Sequence, residues 1–175
     1  MNNAGVSLGG ATGDIAIEDW AWIVNINLMG VVAGVETFTP LIASHGEGGC
    51  ILNTASMAGH LAMAGGGPYN ATNYAVVGYS ETIRQELAPQ GIAVSVLCPG
   101  WVKTAINGTA KDRPSMQAGA PEREETEQGK KIAAAIDAGL SPDVVADWTL
   151  SQIDKGRFYI FTHPELLPFV EGRFS

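Results

Sequence analysis

No lysine or arginine occurs before Arg84, whereas Asp14, Glu18, Asp19, Glu36, Glu47 and Glu81 all precede it. Over 175 residues, ten basic side chains face eighteen acidic ones, a formal charge of −8 at pH 7. Contacts with nucleic acid or anionic lipid are mostly electrostatic, so a chain without a basic stripe suits neither partner. Cysteine is scarce: Cys50 and Cys98 lack CxxC spacing and are too few for a disulfide framework, so both read as buried thiols. His45, His60 and His163 form no HxxxH pair and no His/Cys cluster, which argues against a metal site. The amino terminus, MNNAGVSLGGATGD, lacks the basic and apolar regions of a signal peptide. No segment approaches the ~20 apolar residues of a membrane span. Together these absences predict a cytoplasmic protein with neither a membrane nor a nucleic-acid partner.

The length suits about one domain at ~100–200 residues each. Residues 18–44 place Trp22, Ile26, Met29, Ala33, Glu36 and Pro40 at helical spacing in a mostly apolar segment, which predicts a long helix buried on more than one face. The glycine-bounded run 50–56 predicts a buried strand, residues 68–88 a helix opened by Pro68, and 91–100 a second strand ended by Pro99-Gly100. The polar segment 103–131 reads as a mobile loop with short helical pieces; Ser141 caps a helix through Lys155, and 157–162 is a last strand. Strands alternating with long helices imply parallel βαβ units, hence a three-layer α/β sheet. Such sheets bind ligands beyond the carboxyl ends of their strands, which singles out 56–67, 99–104 and the residues from His163 onward.

Four motifs occupy this frame in order. They are Asn2-Asn3-Ala4-Gly5, Ile26-Asn27-Leu28, Ser56 with Tyr69 thirteen residues later, and Pro99-Gly100-Trp101-Val102-Lys103-Thr104. Each is weak alone; in this order and spacing the chain resembles the short-chain dehydrogenase/reductase family along essentially its whole length. The resemblance implies a Rossmann-like parallel sheet and hydride transfer between NAD or NADP and a secondary alcohol or ketone. It implies catalytic roles for four residues: Tyr69 as acid/base, Ser56 holding the substrate oxygen, Asn27 holding a water, and Asn73 at the family's lysine position. Cofactor contacts would fall to Asn3, Ala4, Gly5, Tyr69, Asn73, Pro99, Gly100, Val102 and Thr104. Hydride reduction of a carbonyl needs a proton donor, and a tyrosine with a reference pKa of ~10 serves as base only when a neighbour tunes it.

The chain departs from the family at two places. Tyr69-Asn70-Ala71-Thr72-Asn73 reads YxxxN where the family has YxxxK, so an amide replaces the ammonium that lowers the tyrosine pKa. If that ammonium contributes about 2 units, its loss raises the cost of phenolate by ~2.7 kcal/mol. Lys103 is the nearest replacement by family position. The TGxxxGxG loop that seats the pyrophosphate on a helix amino terminus is absent. The resemblance therefore implies that residues 1–175 are the carboxyl-terminal part of one such domain, truncated at its amino terminus. The sheet would be incomplete, with its first strands and Gly-rich loop missing and the strand at 50–55 left as an open edge. Residues 105–131, with the charge run Glu122, Glu124, Glu125, Glu127, Lys130 and Lys131, correspond to the family's substrate-covering loop. Gly65-Gly66-Gly67 reads as a pliant substrate-side loop, and His60 as a solvated loop residue near the pocket. The two long helices correspond to those that build homo-oligomers in the family. A catalytically silent, family-like fragment acting only in assembly is the alternative function.

Overall fold

A computed structural model describes residues 1–121 and 126–173. Three parallel strands, β1 (Gly49–Thr54), β2 (Ile92–Cys98) and β3 (Tyr159–Phe161), form one open sheet in the order β1-β2-β3. Cys50 pairs with Ala93 and Thr54 with Leu97, while Cys98 pairs with Phe161. The central strand is buried at every residue but Ala93, with one wholly apolar face and one that includes Ser95, whose hydroxyl donates to Arg157 O. Its residues Ile92, Val94, Val96 and Cys98 join Val31, Val35, Val76, Val77, Ile83 and Leu87 in one core. On the opposite face Leu97 joins Leu52, Ile160 and Val145. Helix α6 (Pro142–Asp154) supplies Val145 and starts as expected, with Ser141 Oγ accepting from Val144 N at 3.4 Å. The three-layer α/β expectation therefore holds.

The predicted first helix is one continuous run of three parts: α1 (Ile17–Val24), a π segment (Asn25–Met29) and α2 (Gly30–His45). It is buried along one stripe only, Asp19, Ile23, Asn27, Val31 and Val35. Burial on more than one face is not found: Met29, Ala33, Glu36 and Pro40 are exposed, and Trp22 and Ile26 are half-buried. A spacing of four drifts by about 40° per step on a helix of 3.6 residues per turn, and the i→i+5 bonds of the π segment absorb part of that drift at Asn27. Because its outer face is apolar, this run is also long and apolar enough to cross a membrane, with mean hydropathy 1.5. That corrects the expectation that no segment approaches such a span. Its buried stripe is nevertheless packed on the sheet.

Helix α3 (Gly67–Leu87) begins at Pro68, as predicted. The described part of segment 103–131 contains the short helical pieces expected of it. It holds a 3₁₀ turn (Ile106–Asp112), α4 (Pro114–Gln117) and the start of α5 (Glu127–Asp137), because a buried ion pair fixes its base. Glu122, Glu124 and Glu125 lie outside the described residues; Glu127 and Lys130 pair at 2.7 Å in the open, where such a pair contributes little. After β3 the chain forms an unanticipated 3₁₀ turn (Pro164–Leu166) and helix α7 (Leu167–Gly172).

Two edge features differ from expectation. Cys50 is exposed, since it begins β1 beyond the reach of the core residues; Cys98 is buried. The edge of β1 is partly paired: Asn2 N donates to Leu52 O at 2.8 Å and Thr54 N to Asn2 O at 2.9 Å. Asn2 Nδ2 also donates to Asn53 Oδ1, whose own amide reaches Ser80 Oγ. This relay passes Gly34, where a Cβ would lie 2.0 Å from Asn2 Oδ1.

Candidate active site

Beyond Thr54 the backbone turns at Ser56, whose extended φ of −161° and ψ of 164° start a 3₁₀ turn, Met57–Gly59. Ser56 Oγ accepts from Ala58 N at 3.1 Å, so the hydroxyl caps this turn. It donates to Pro99 O only at 3.4 Å, a long bond that another acceptor can replace. The turn lies directly on α3, because a Cβ at Gly59 would meet Asn73 O at 2.8 Å. That close approach brings the end of β1 against the helix that carries Tyr69.

Tyr69 sits in the first turn of α3, half-buried. Burial pushes its phenol above the usual tyrosine range, while hydrogen bonds with the side chains of Ser56 and Asn73 pull it back. None of these three influences carries a charge. Asn73, 6% exposed, donates from Nδ2 to Tyr69 O at 2.8 Å. The lysine position therefore holds a buried neutral amide facing the tyrosine. Lys103 is exposed, its backbone N donates to Leu140 O at 2.9 Å, and its charge is not among the influences on the Tyr69 phenol.

Asn27 stands on the π segment, buried, and clamps the backbone of Val6 by accepting from its N at 2.8 Å and donating to its O at 2.9 Å. Its amide also approaches Thr72 Oγ1 at 3.5 Å, and that hydroxyl donates to Pro68 O and Tyr69 O. Asn27 thus connects the stretch after Asn3, Ala4 and Gly5, all three exposed, to the start of α3. On the far side Pro99 O accepts from Met57 N at 2.8 Å, and Gly100 N donates to Thr162 Oγ1 at 3.0 Å. Val102 bridges to Leu140, while Thr104 is exposed and not drawn to Tyr69. Ser56, Tyr69 and Asn73 therefore form one cluster, with Asn27 behind it and the Pro99–Thr104 turn beside it.

Residues 1–115 match the family described as short chain dehydrogenase. The chain belongs to that family. It is 33% identical over 180 residues to a CLA biosynthesis dehydrogenase/reductase of Lactiplantibacillus plantarum, covering 99% of this chain and 63% of the relative. To a C alpha-dehydrogenase of a Sphingobium species it is 31% identical, covering 99% of this chain and 57% of that protein. A short chain dehydrogenase/reductase from Burkholderia phymatum, solved in complex with NAD, superposes with a TM-score of 0.88 at 38% identity, covering 97% of this chain and 62% of that one. The chain thus spans about 60% of the length of these proteins.

Among the described residues no group of three or more His, Cys, Asp or Glu side chains could hold a metal ion. His60 is not a solvated loop residue: its ring packs edge-on to Tyr159 and Phe161, with Nε2 3.4 Å from Cys98 Sγ. Burial, then the Arg173 charge, lowers its pKa. The hydroxyl, phenol and amide of Ser56, Tyr69 and Asn73 suit the ribose and carboxamide end of a nicotinamide cofactor, whereas the sequence has no TGxxxGxG loop for its pyrophosphate.

The structure adds three polar residues to this region: Asp19, Arg113 and Ser115 meet at the start of α1. The sequence holds one trace of them, since Asp19 falls in register with Ile23 and Asn27. Nothing in the spacing of Arg113, 94 residues further on, points to Asp19.

Proposed function

We propose that this chain carries the catalytic side of an oxidoreductase acting on a secondary alcohol or ketone, with NAD or NADP as cofactor. The observation that carries the reading is the Ser56, Tyr69 and Asn73 cluster at the carboxyl ends of β1 and β2. The NAD bound in the Burkholderia relative and the dehydrogenase and reductase names of the others support a nicotinamide cofactor. Bound at Asn3, Ala4, Gly5, Tyr69, Asn73, Pro99, Gly100, Val102 and Thr104, that cofactor supplies or accepts the hydride.

The chain's own residues handle the proton. Tyr69 donates its phenol proton to the substrate oxygen in reduction and takes it back in oxidation. Ser56 turns its hydroxyl from Pro99 O to the same oxygen, keeping its cap on Ala58 N. Asn27 holds the backbone behind α3 in place. With its pKa raised, Tyr69 is a ready acid across neutral pH, whereas oxidation requires the costlier phenolate. Residues 105–131 cover the substrate, and α2 and α3 pair in a homo-oligomer; the exposed Phe38 and Leu41 on α2 support that pairing.

A second reading, a silent member acting only in assembly, is favoured by one observation, the neutral Asn73 in the lysine's place. Titration with NADH and NADPH separates the two, because an assembly-only protein binds neither yet still oligomerises. The catalytic reading is tested by turnover of a panel of secondary ketones. The Tyr69→Phe variant is expected to lose 10²- to 10⁴-fold, on the order typical of a positioned acid. Equal turnover with and without the phenol rejects it.

A further inference from the structure

The polar group that holds most charge in the interior is remote from Tyr69 in sequence and outside the family's motifs. Asp19 is 0% and Arg113 7% exposed, and they form the one buried ion pair among the described residues, Nε to Oδ2 at 3.4 Å. Asp19 also accepts from Ser115, backbone N to Oδ1 at 2.9 Å and Oγ to Oδ2 at 2.6 Å. Arg113 donates from Nε to Ser115 Oγ at 3.2 Å and from Nη1 to Ala110 O at 2.8 Å, closing the 3₁₀ turn on which it sits. One carboxylate and one guanidinium therefore fix both the 3₁₀ turn and the first residues of α4.

This segment and helix α5 after it touch the surroundings of Tyr69 from two sides. Ser7 N, next to the Val6 that Asn27 clamps, donates to Thr109 Oγ1 at 2.9 Å. Gln128 Nε2 on α5 donates to Ala64 O at 3.3 Å, in the loop that leads into Tyr69. Asp19 lies on the buried stripe of Ile23 and Asn27, and its neighbour Trp20 lies against Gly67 at the start of α3, 3.6 Å from where a Cβ would stand. The helix that positions Asn27 thus also anchors residues 105–117.

Buried ion pairs recover little net stability, because desolvation offsets their attraction. What this one imposes is geometry, because the buried carboxylate that faces Arg113 Nε also accepts two bonds from Ser115, one on each oxygen. We propose that Asp19, Arg113 and Ser115 are positioning residues, a latch that holds segment 105–117 in the place from which it closes over a ketone or alcohol at Tyr69. The inference rests on the oxidoreductase reading for its substrate, but not for the latch itself.

The test compares the parent protein with Asp19→Leu/Arg113→Met, which exchanges the pair for apolar volume, and with Ser115→Ala, which keeps both charges. Amide exchange in 106–117 is expected to accelerate about tenfold or more in the double variant and about threefold in Ser115→Ala, with residues 92–98 unchanged. Should the double variant fail to fold, Ser115→Ala carries the same comparison. In ketone reduction the double variant raises KM about tenfold and leaves kcat within about twofold, a split that a merely structural role would not produce. Unchanged exchange in 106–117, or a freed segment with unchanged KM, overturns the proposal. A parent protein without any ketone turnover overturns the oxidoreductase reading, and the exchange data then still decide whether the latch exists.

Discussion

Two polar centres lie along the same helical arrangement, and they are built from opposite materials. Around Tyr69 everything is neutral: a hydroxyl, a phenol and an amide joined by hydrogen bonds under a burial that keeps the phenol protonated. Around Asp19 a full negative and a full positive charge are enclosed with hardly any solvent contact. The first centre retains its family positions yet has exchanged its cation for Asn73. The second belongs to no motif and keeps both charges where the interior penalises them most. The contrast teaches that motif membership and electrostatic investment are separate properties. The centre around Tyr69 is left uncharged, while the one around Asp19 is held by a paired charge and by two bonds from Ser115.

Removing one charge from the second centre is expected to have the largest effect. Arg113→Ala leaves the Asp19 carboxylate buried and uncompensated, and a loss of about 3–5 kcal/mol should appear in urea unfolding. A loss below about 1 kcal/mol, the value of an exposed pair, would break the contrast. Adding a charge to the first centre comes next. Asn73→Lys should raise turnover at least about a hundredfold, equivalent to ~2.7 kcal/mol for about 2 units of tyrosine pKa. It should also move the pH dependence of oxidation downward, since the parent phenol is held above its usual range. Equal rates in the two proteins would sink this expectation.

A third measurement reads burial without a neighbouring charge. Burial pushes the Cys98 thiol from 9.0 up to about 12. The unfolded thiol then ionises first as pH rises, so Cys98 contributes fully below pH 9 and its contribution falls between 9 and 12. By pH 10.5 that loss should reach about 2 kcal/mol in urea melts, and Cys98→Ala should remove this part of the slope. The smallest expected effect is a control outside both centres. Ser141→Ala removes the cap of α6 at a cost of about 1 kcal/mol, with turnover unaffected.

Much of the fold was legible because its signals are local. Pro68 opens α3, Ser141 caps α6, and the apolar runs at 50–56 and 91–100 become the two long strands. The Ser56 and Tyr69 spacing likewise leads to a real cluster. Other readings failed where a neighbour decides the outcome. The first helix was read as buried on more than one face, because the apolar content of a helix does not show how much of it meets a sheet. The π segment at Asn27 was also invisible. Cys50 looked buried by residue type but begins an edge strand, and the polar composition of 103–121 conceals that Arg113 has a partner 94 residues away.

The sequence by itself determined where helices and strands begin, which residue types reach the carboxyl ends of the strands, and that no lysine stands four residues after Tyr69. These depend on backbone preferences and spacing along one chain, which neighbouring residues settle. Only the tertiary structure decided that Asn27 clamps Val6 and that Asp19 closes on Arg113 and Ser115. Each is a contact whose geometry is set by helices packing on a shared sheet, and burial is what converts such a contact from a weak surface interaction into a constraint.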